Sequence, residues 1–126
     1  MIKEGQIVLF AFPRTDQVSG KLRPALVLRR CPGTHDDWLI CMVSSQLRQT
    51  IPGIDETINP EDNDFPETGL KLASVVRVTR IAVVTSGILQ GAIGVISDNR
   101  LEQIRRRIAE WILGSGMPAA SRNSQE

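Results

Sequence analysis

Residues 21–30 read Lys-Leu-Arg-Pro-Ala-Leu-Val-Leu-Arg-Arg, and this stretch constrains the fold more than any other. Ala25, Leu26, Val27 and Leu28 form a short apolar run without polar alternation, the pattern of a strand buried on both faces. Pro24 has no N–H to give to a ladder, so it belongs at the strand's first residue or on an edge. Arg23 precedes the proline and is thereby driven into extended geometry. A guanidinium is thus held at the mouth of a rigid strand, permanently charged, planar and able to grip a phosphate with two hydrogen bonds. An isolated arginine in that place is more often a solvated or ion-paired surface group, so its neighbours decide its meaning.

Strand patterns also cover residues 6–12, 38–43, 73–84 and 92–96, with a short edge strand over 54–58. Loops rich in Pro, Gly, Ser and Asp separate the early strands at 13–20 and 31–37. Only the end of the chain changes period. Leu101, Ile104, Ile108 and Trp111 or Ile112 recur at three- and four-residue spacing, which predicts one amphipathic helix over 98–113. Ser97 suits its N-cap, Asp98 its first turn and Gly114 its stop. Short strands followed by one helix predict a mainly β, partly closed small barrel, with the helix covering an open edge or end. The length of 126 residues suits one domain, 1–113, and the small polar residues 114–126 are expected to be a disordered tail.

Several classes of function are set aside by composition. No apolar run approaches the roughly 20 residues that span a bilayer, and Glu4 and Gly5 interrupt any signal-like start, so a cytoplasmic protein is expected. Cys31 and Cys41 lie in or beside apolar strands and are expected to be buried thiols. One histidine, His35, and no Cys-x-x-Cys argue against structural zinc, and no metal or cofactor is expected. The net charge of +1 is uninformative, but residues 55–67 hold six of the 14 acids and no Lys or Arg. The remainder then carries 15 basic against 8 acidic residues, a balance of +7. Such segregation either steers a polyanion to one face or marks a solubilising acidic loop. Arg100 and Arg105–Arg107 fall on the polar side of the helix, where a solvated face is the favoured reading over a contact with RNA. Aromatic residues are few: Phe10, Phe12 and Trp111 read as core, and Trp38 reads as core more readily than as a stacking surface.

Three groups sit at strand ends or within strands where a small barrel presents its loops: Arg23, Ser44 after the apolar run 39–43, and Arg77 inside 75–78. Hydroxyls and guanidinium forks are the donors suited to phosphate oxygens. The ordered pieces Gly5-Gln6-Ile7-Val8-Leu9 with Phe12-Pro13, Arg23-Pro24-Ala25-Leu26-Val27-Leu28, Val43-Ser44-Ser45-Gln46, Gly69-Leu70-Lys71, Ser74-Val75-Val76-Arg77 and Ile93-Gly94 resemble the MazF/PemK family of toxins over roughly residues 5–113. That resemblance implies an SH3-like barrel with a C-terminal helix and a homodimer. It also implies metal-independent cleavage of single-stranded RNA such as mRNA, and neutralisation by a cognate antitoxin protein. Arg23 matches the family's catalytic arginine, Ser44 its active-site Thr or Ser, and Arg77 a further arginine of PemK-like members. Two family acids are replaced, by Val18 five residues before Arg23 and by Thr79 two residues after Arg77.

Cleavage of that kind needs a group that takes the 2′-hydroxyl proton, a group that protonates the leaving 5′-oxygen, and donors for the phosphate. Arginine stays protonated and is a poor base. Asp16 in the first loop is the expected base, with His35 a distant second; an aspartate there is more often a loop cap. Arg14, Lys21, Ser45, Gln46, Arg48 and Arg80 complete the expected RNA-contacting set. The competing expectation is a barrel that binds RNA or a peptide without cutting.

Overall fold

The computed structural model describes residues 1–11 and 22–114. Six strands are present: β1 (Gln6–Phe10), β2 (Arg23–Arg30), β3 (Asp37–Ser44), β4 (Glu56–Ile58), β5 (Ser74–Thr85) and β6 (Ala92–Val95). A short helix α1 (Phe65–Thr68) lies between β4 and β5, and α2 (Asp98–Leu113) closes the chain. Single 3₁₀ turns occupy Leu47–Gln49 and Ser86–Ile88. The sheet is antiparallel, in the order β4-β5-β3-β2-β1-β6.

Alternation along the strands sends side chains to two cores. Ile7, Leu26, Leu28, Cys41, Val43, Ile58, Val76 and Val78 meet Leu101, Ile104 and Ile108 of α2. Val8, Phe10, Ala25, Val27, Trp38, Ile40 and Val84 form the other cluster. A flat sheet could not bring five strands onto one cluster, so the sheet curls around the first set and leaves a half-barrel. α1 reaches the far edge, where a Cβ on Gly94 would lie 2.2 Å from the Thr68 carbonyl carbon. A Cβ on Gly69, whose φ is +74°, would lie 2.1 Å from the Ile93 oxygen. Only glycine permits two backbones to approach this closely.

α2 begins and ends where its signals place it. The Ser97 side chain accepts the Arg100 N–H at 3.2 Å, and Gly114 adopts the left-handed conformation at the C-cap. Trp111 is half-buried and Ile112 is exposed, so the apolar stripe stops at Ile108. Cys41 is buried but Cys31 is only partly so.

The acidic segment is neither a solvated loop nor a free field. Arg100 donates to Glu56 and to both Asp62 and Asp64, each at 2.9 Å, and to the Thr57 carbonyl. Arg107 pairs with Glu56 and donates to the Asp55 carbonyl. Arg105 binds Glu4 and the carbonyl of Leu28. Leu28 is the extra residue of a β-bulge, since β2 advances from Val27 to Arg29 while β3 moves from Ile40 to Leu39. The helix arginines are therefore clasps between α2, the acidic segment and the sheet. Arg106 alone among Arg105–Arg107 keeps the expected solvated position, and among the described residues it pairs only with Glu102 one turn away.

Candidate active site

Pairing register decides which polar side chains share a face, because residues directly opposite one another in an antiparallel ladder point the same way. β3 pairs with β2 only from Ala25, opposite Met42. Extending that register by two residues sets Arg23 beside Ser44, at the point where the strands part. Pro24, without an N–H, stands at this parting. On the other side of β3, Arg77 of β5 lies opposite Met42 and Val75 opposite Ser44. Arg23, Met42, Ser44 and Arg77 therefore occupy one face, the one turned away from α2.

A three-residue spacing from Arg77 would send Arg80 to the opposite face of a regular strand. The ladder breaks here, however: β5 runs from Arg77 to Ile81 while β3 advances only from Met42 to Cys41. The bulge formed by residues 78–80 bends the strand and brings Arg80 back beside Arg77. The result is a cleft of about 560 Å³ lined by Arg23, Met42, Val43, Ser44, Gln46, Gln49, Arg77 and Arg80. A second hollow of about 200 Å³ shares Arg23, Ser44 and Gln46, and adds Ser45, Lys71 and Leu72 among its walls. Arg23 and Ser44 form the ridge between the two.

The donors in this cleft differ in how they are engaged. Arg23 Nε is buried and finds no hydrogen-bond acceptor among the described residues. A buried donor without a partner is costly, about 1–3 kcal/mol, unless a ligand satisfies it. Ser44 Oγ accepts the Gln46 N–H at 3.0 Å, which leaves its own proton free to donate. Arg80 has no carboxylate partner among the described residues. Arg77, by contrast, is anchored: Nε donates to Asp55 at 3.1 Å and Nη1 to Gln49 Oε1 at 2.8 Å.

Asp55 and Gln49 are the two site residues that the sequence does not reveal. The Asp55 side chain is fully buried, and it accepts the N–H groups of Ile51 and Val78 as well as Arg77 Nε. Val78 is in the bulge, so Asp55 satisfies a backbone donor that the ladder has dropped. A carboxylate thus reaches Arg77 from the segment before β4, whereas Thr79 supplies none from within β5.

The remaining expected site residues divide plainly. Ser45 lines the smaller hollow, and Arg48 is exposed on the 3₁₀ turn without lining either. His35 sits in the β2–β3 turn, at the opposite end of β3 from Ser44, roughly 20 Å away at about 3.3 Å per residue. It is removed as a candidate base. Asp16, Arg14 and Lys21, together with Phe12 and Val18, lie outside the described residues, as does the tail beyond Gly114. Burial pushes the Cys41 thiol far up, reinforced by Asp55, so it is no nucleophile. Among the described residues, no group of three or more His, Cys, Asp or Glu could hold a metal ion, and no helix is long and apolar enough to cross a membrane.

A family model described as "PemK-like, MazF-like toxin of type II toxin-antitoxin system" matches residues 3–112. None of the curated proteins matches the sequence. Among solved structures, an endoribonuclease bound to its cognate antitoxin from a mycobacterial species aligns with a TM-score of 0.65 at 17% identity, over 94% of this chain and 100% of that one. MazE–MazF from Deinococcus radiodurans gives 0.63 at 19% identity, over 88% and 94%. The Mycobacterium tuberculosis toxin MazF-mt6 gives 0.60 at 17% identity, over 83% and 93%. At these identities the structures establish a shared fold.

Proposed function

The chain belongs to the PemK-like, MazF-like toxin family of type II toxin–antitoxin systems, and from that premise we propose that it is a metal-independent endoribonuclease cutting single-stranded RNA in the cytoplasm. The observation that carries the reading is the cleft at the parting of β2 and β3, where the unsatisfied Arg23 Nε and the free Ser44 hydroxyl proton meet. A phosphodiester supplies the acceptors that both donors lack.

In the proposed reaction the ribose 2′-oxygen attacks the adjacent phosphorus. The O2′–P bond forms as the P–O5′ bond breaks, leaving a 2′,3′-cyclic phosphate and, once O5′ takes a proton from solvent water, a 5′-hydroxyl. Arg23 stabilises charge on the phosphorane and stands on the leaving-group side, and Ser44 donates to a non-bridging oxygen. A donor of this kind is worth roughly 10²–10³-fold in rate. Arg77 keeps N–H groups beyond its two bonds for the same or a neighbouring phosphate, and Arg80 is free for the next. Gln46 and Ser45 add neutral donors along the ridge, and Arg14, Lys21 and Arg48 are assigned to the same RNA on charge alone. No carboxylate lines the cleft among the described residues, so Asp16 is the proposed base, worth about 10²–10⁴-fold in proton transfer.

The relatives solved with antitoxins support a cognate antitoxin as protein partner. A homodimer belongs to the same reading: Ile93 and Val95 on the edge strand β6, and Ile112 and Leu113 at the end of α2, are exposed apolar surface for a second copy. The test is to incubate the purified protein and a long RNA with chelator and to sequence the cut ends. Fragments ending in 2′,3′-cyclic phosphate are expected; binding without fragments overturns the nuclease reading.

A further inference from the structure

We infer that Gln49 reads one base of the RNA, and that Arg77 fixes its amide so that it selects a keto oxygen over an amino group. A glutamine is normally an ambiguous reader, because half a turn about its last bond exchanges a carbonyl acceptor for two N–H donors. Here that freedom is removed. Arginine has no acceptor, so the end of Gln49 that meets Arg77 Nη1 at 2.8 Å must be the oxygen. The Nε2 group is then left on the other side of an exposed side chain that lines the cleft.

The anchor itself cannot swing. Arg77 Nε is tied to Asp55, whose buried carboxylate is tied in turn to the backbone N–H groups of Val78 and Ile51. Gln49 stands on a 3₁₀ turn, its own N–H bonded to the Gln46 carbonyl at 3.0 Å. The chain Asp55–Arg77–Gln49 thus presents two N–H donors in a fixed direction, in the same cleft as Arg23 and Ser44. Aimed at the C4 substituent of a pyrimidine or the C6 substituent of a purine, such a group finds an acceptor in uracil O4 and guanine O6, whereas the amino groups that cytosine and adenine carry there oppose it donor to donor. A single well-placed contact of this kind discriminates by about tenfold.

The inference rests on the nuclease reading for its RNA substrate, and its test separates the two. Cut sites are mapped on a long RNA of balanced composition for wild type, Gln49→Ala and Gln49→Glu. Wild type is expected to favour U or G about tenfold at one position flanking the cut. Gln49→Ala loses that preference, and Gln49→Glu, which offers only acceptors, moves it towards C or A. In parallel, binding of 2′-O-methyl oligonucleotides that differ at one base is measured by fluorescence anisotropy, which requires no cleavage. A keto preference in binding that Gln49→Ala abolishes, without any cutting by wild type, upholds the base contact and overturns the nuclease. Cutting by wild type with no keto preference, or with one that Gln49→Ala retains, overturns the base contact alone.

Discussion

Two regions of this small protein use arginine in opposite ways. Along α2, Arg100, Arg105 and Arg107 are consumed by carboxylates and carbonyls, and Arg100 alone binds Glu56, Asp62, Asp64 and the Thr57 carbonyl. At the cleft, Arg23 and Arg80 have no carboxylate among the described residues, and a nitrogen of Arg23 is left without any acceptor. The first arrangement joins a helix to a segment that would otherwise repel itself. The second holds charge in reserve for a ligand. Arg77 stands between the two, half given to Asp55 and Gln49 and half open to the cleft. Position relative to the acids, not residue type, separates structural from functional arginine here.

Removing a clasp should be the most damaging change. Arg100→Met leaves Asp62 and Asp64 without their cation and Glu56 with Arg107 alone, and unfolding in urea should show a loss of about 3 kcal/mol. A loss below about 1 kcal/mol would mean that the clasp is ornamental. Removing a reserve group should leave stability alone and act on chemistry. Ser44→Ala is expected to slow RNA cleavage about 10²-fold with an unchanged melting temperature; a shifted melting temperature with intact cleavage would erase the distinction.

Acid sharpens the same comparison. The hydrogen-bonded Arg100 guanidinium, aided by the Ser97 N–H and working against burial, holds the Asp64 carboxyl down at about 2. A carboxylate lowered on folding contributes stability that is complete above its unfolded pKa and fades as pH falls through its folded one. The contribution, about 1–2 kcal/mol after solvent screening, should therefore disappear between about pH 5 and pH 1. Denaturant midpoints of wild type and Asp64→Asn should converge across that window, and parallel curves would contradict it. The smallest effect is expected at Arg106→Ala, where an exposed pair with Glu102 is lost; its stability should change by less than about 0.5 kcal/mol.

What the sequence makes legible follows from how local each signal is. The apolar run at 25–28, the Ser97 cap and the Gly114 stop act within a few residues, and each element forms where those signals lie. Arg23 is readable as a strand-end donor because the proline marks where the ladder to β3 stops, and Ser44 because it follows the apolar run 39–43. Asp55 and Gln49 were not, since their partner Arg77 lies 22 and 28 residues away and only the folded chain unites them. The acidic segment misleads for the same reason: periodicity shows that α2 has a polar side, not that residues 55–64 fold across it. The bulge at 78–80 is likewise invisible in a run that reads as a plain strand, although it alone places Arg80 on the face of Arg77.

The ridge of Arg23 and Ser44 is the proposed place where an RNA strand is cut. The direct measurement is the single-turnover cleavage rate of a defined single-stranded RNA, with chelator present, for wild type and Arg23→Ala of equal melting temperature. A fall of at least about 10²-fold is expected, with residual products still ending in cyclic phosphate. Equal rates for the two proteins would contradict it.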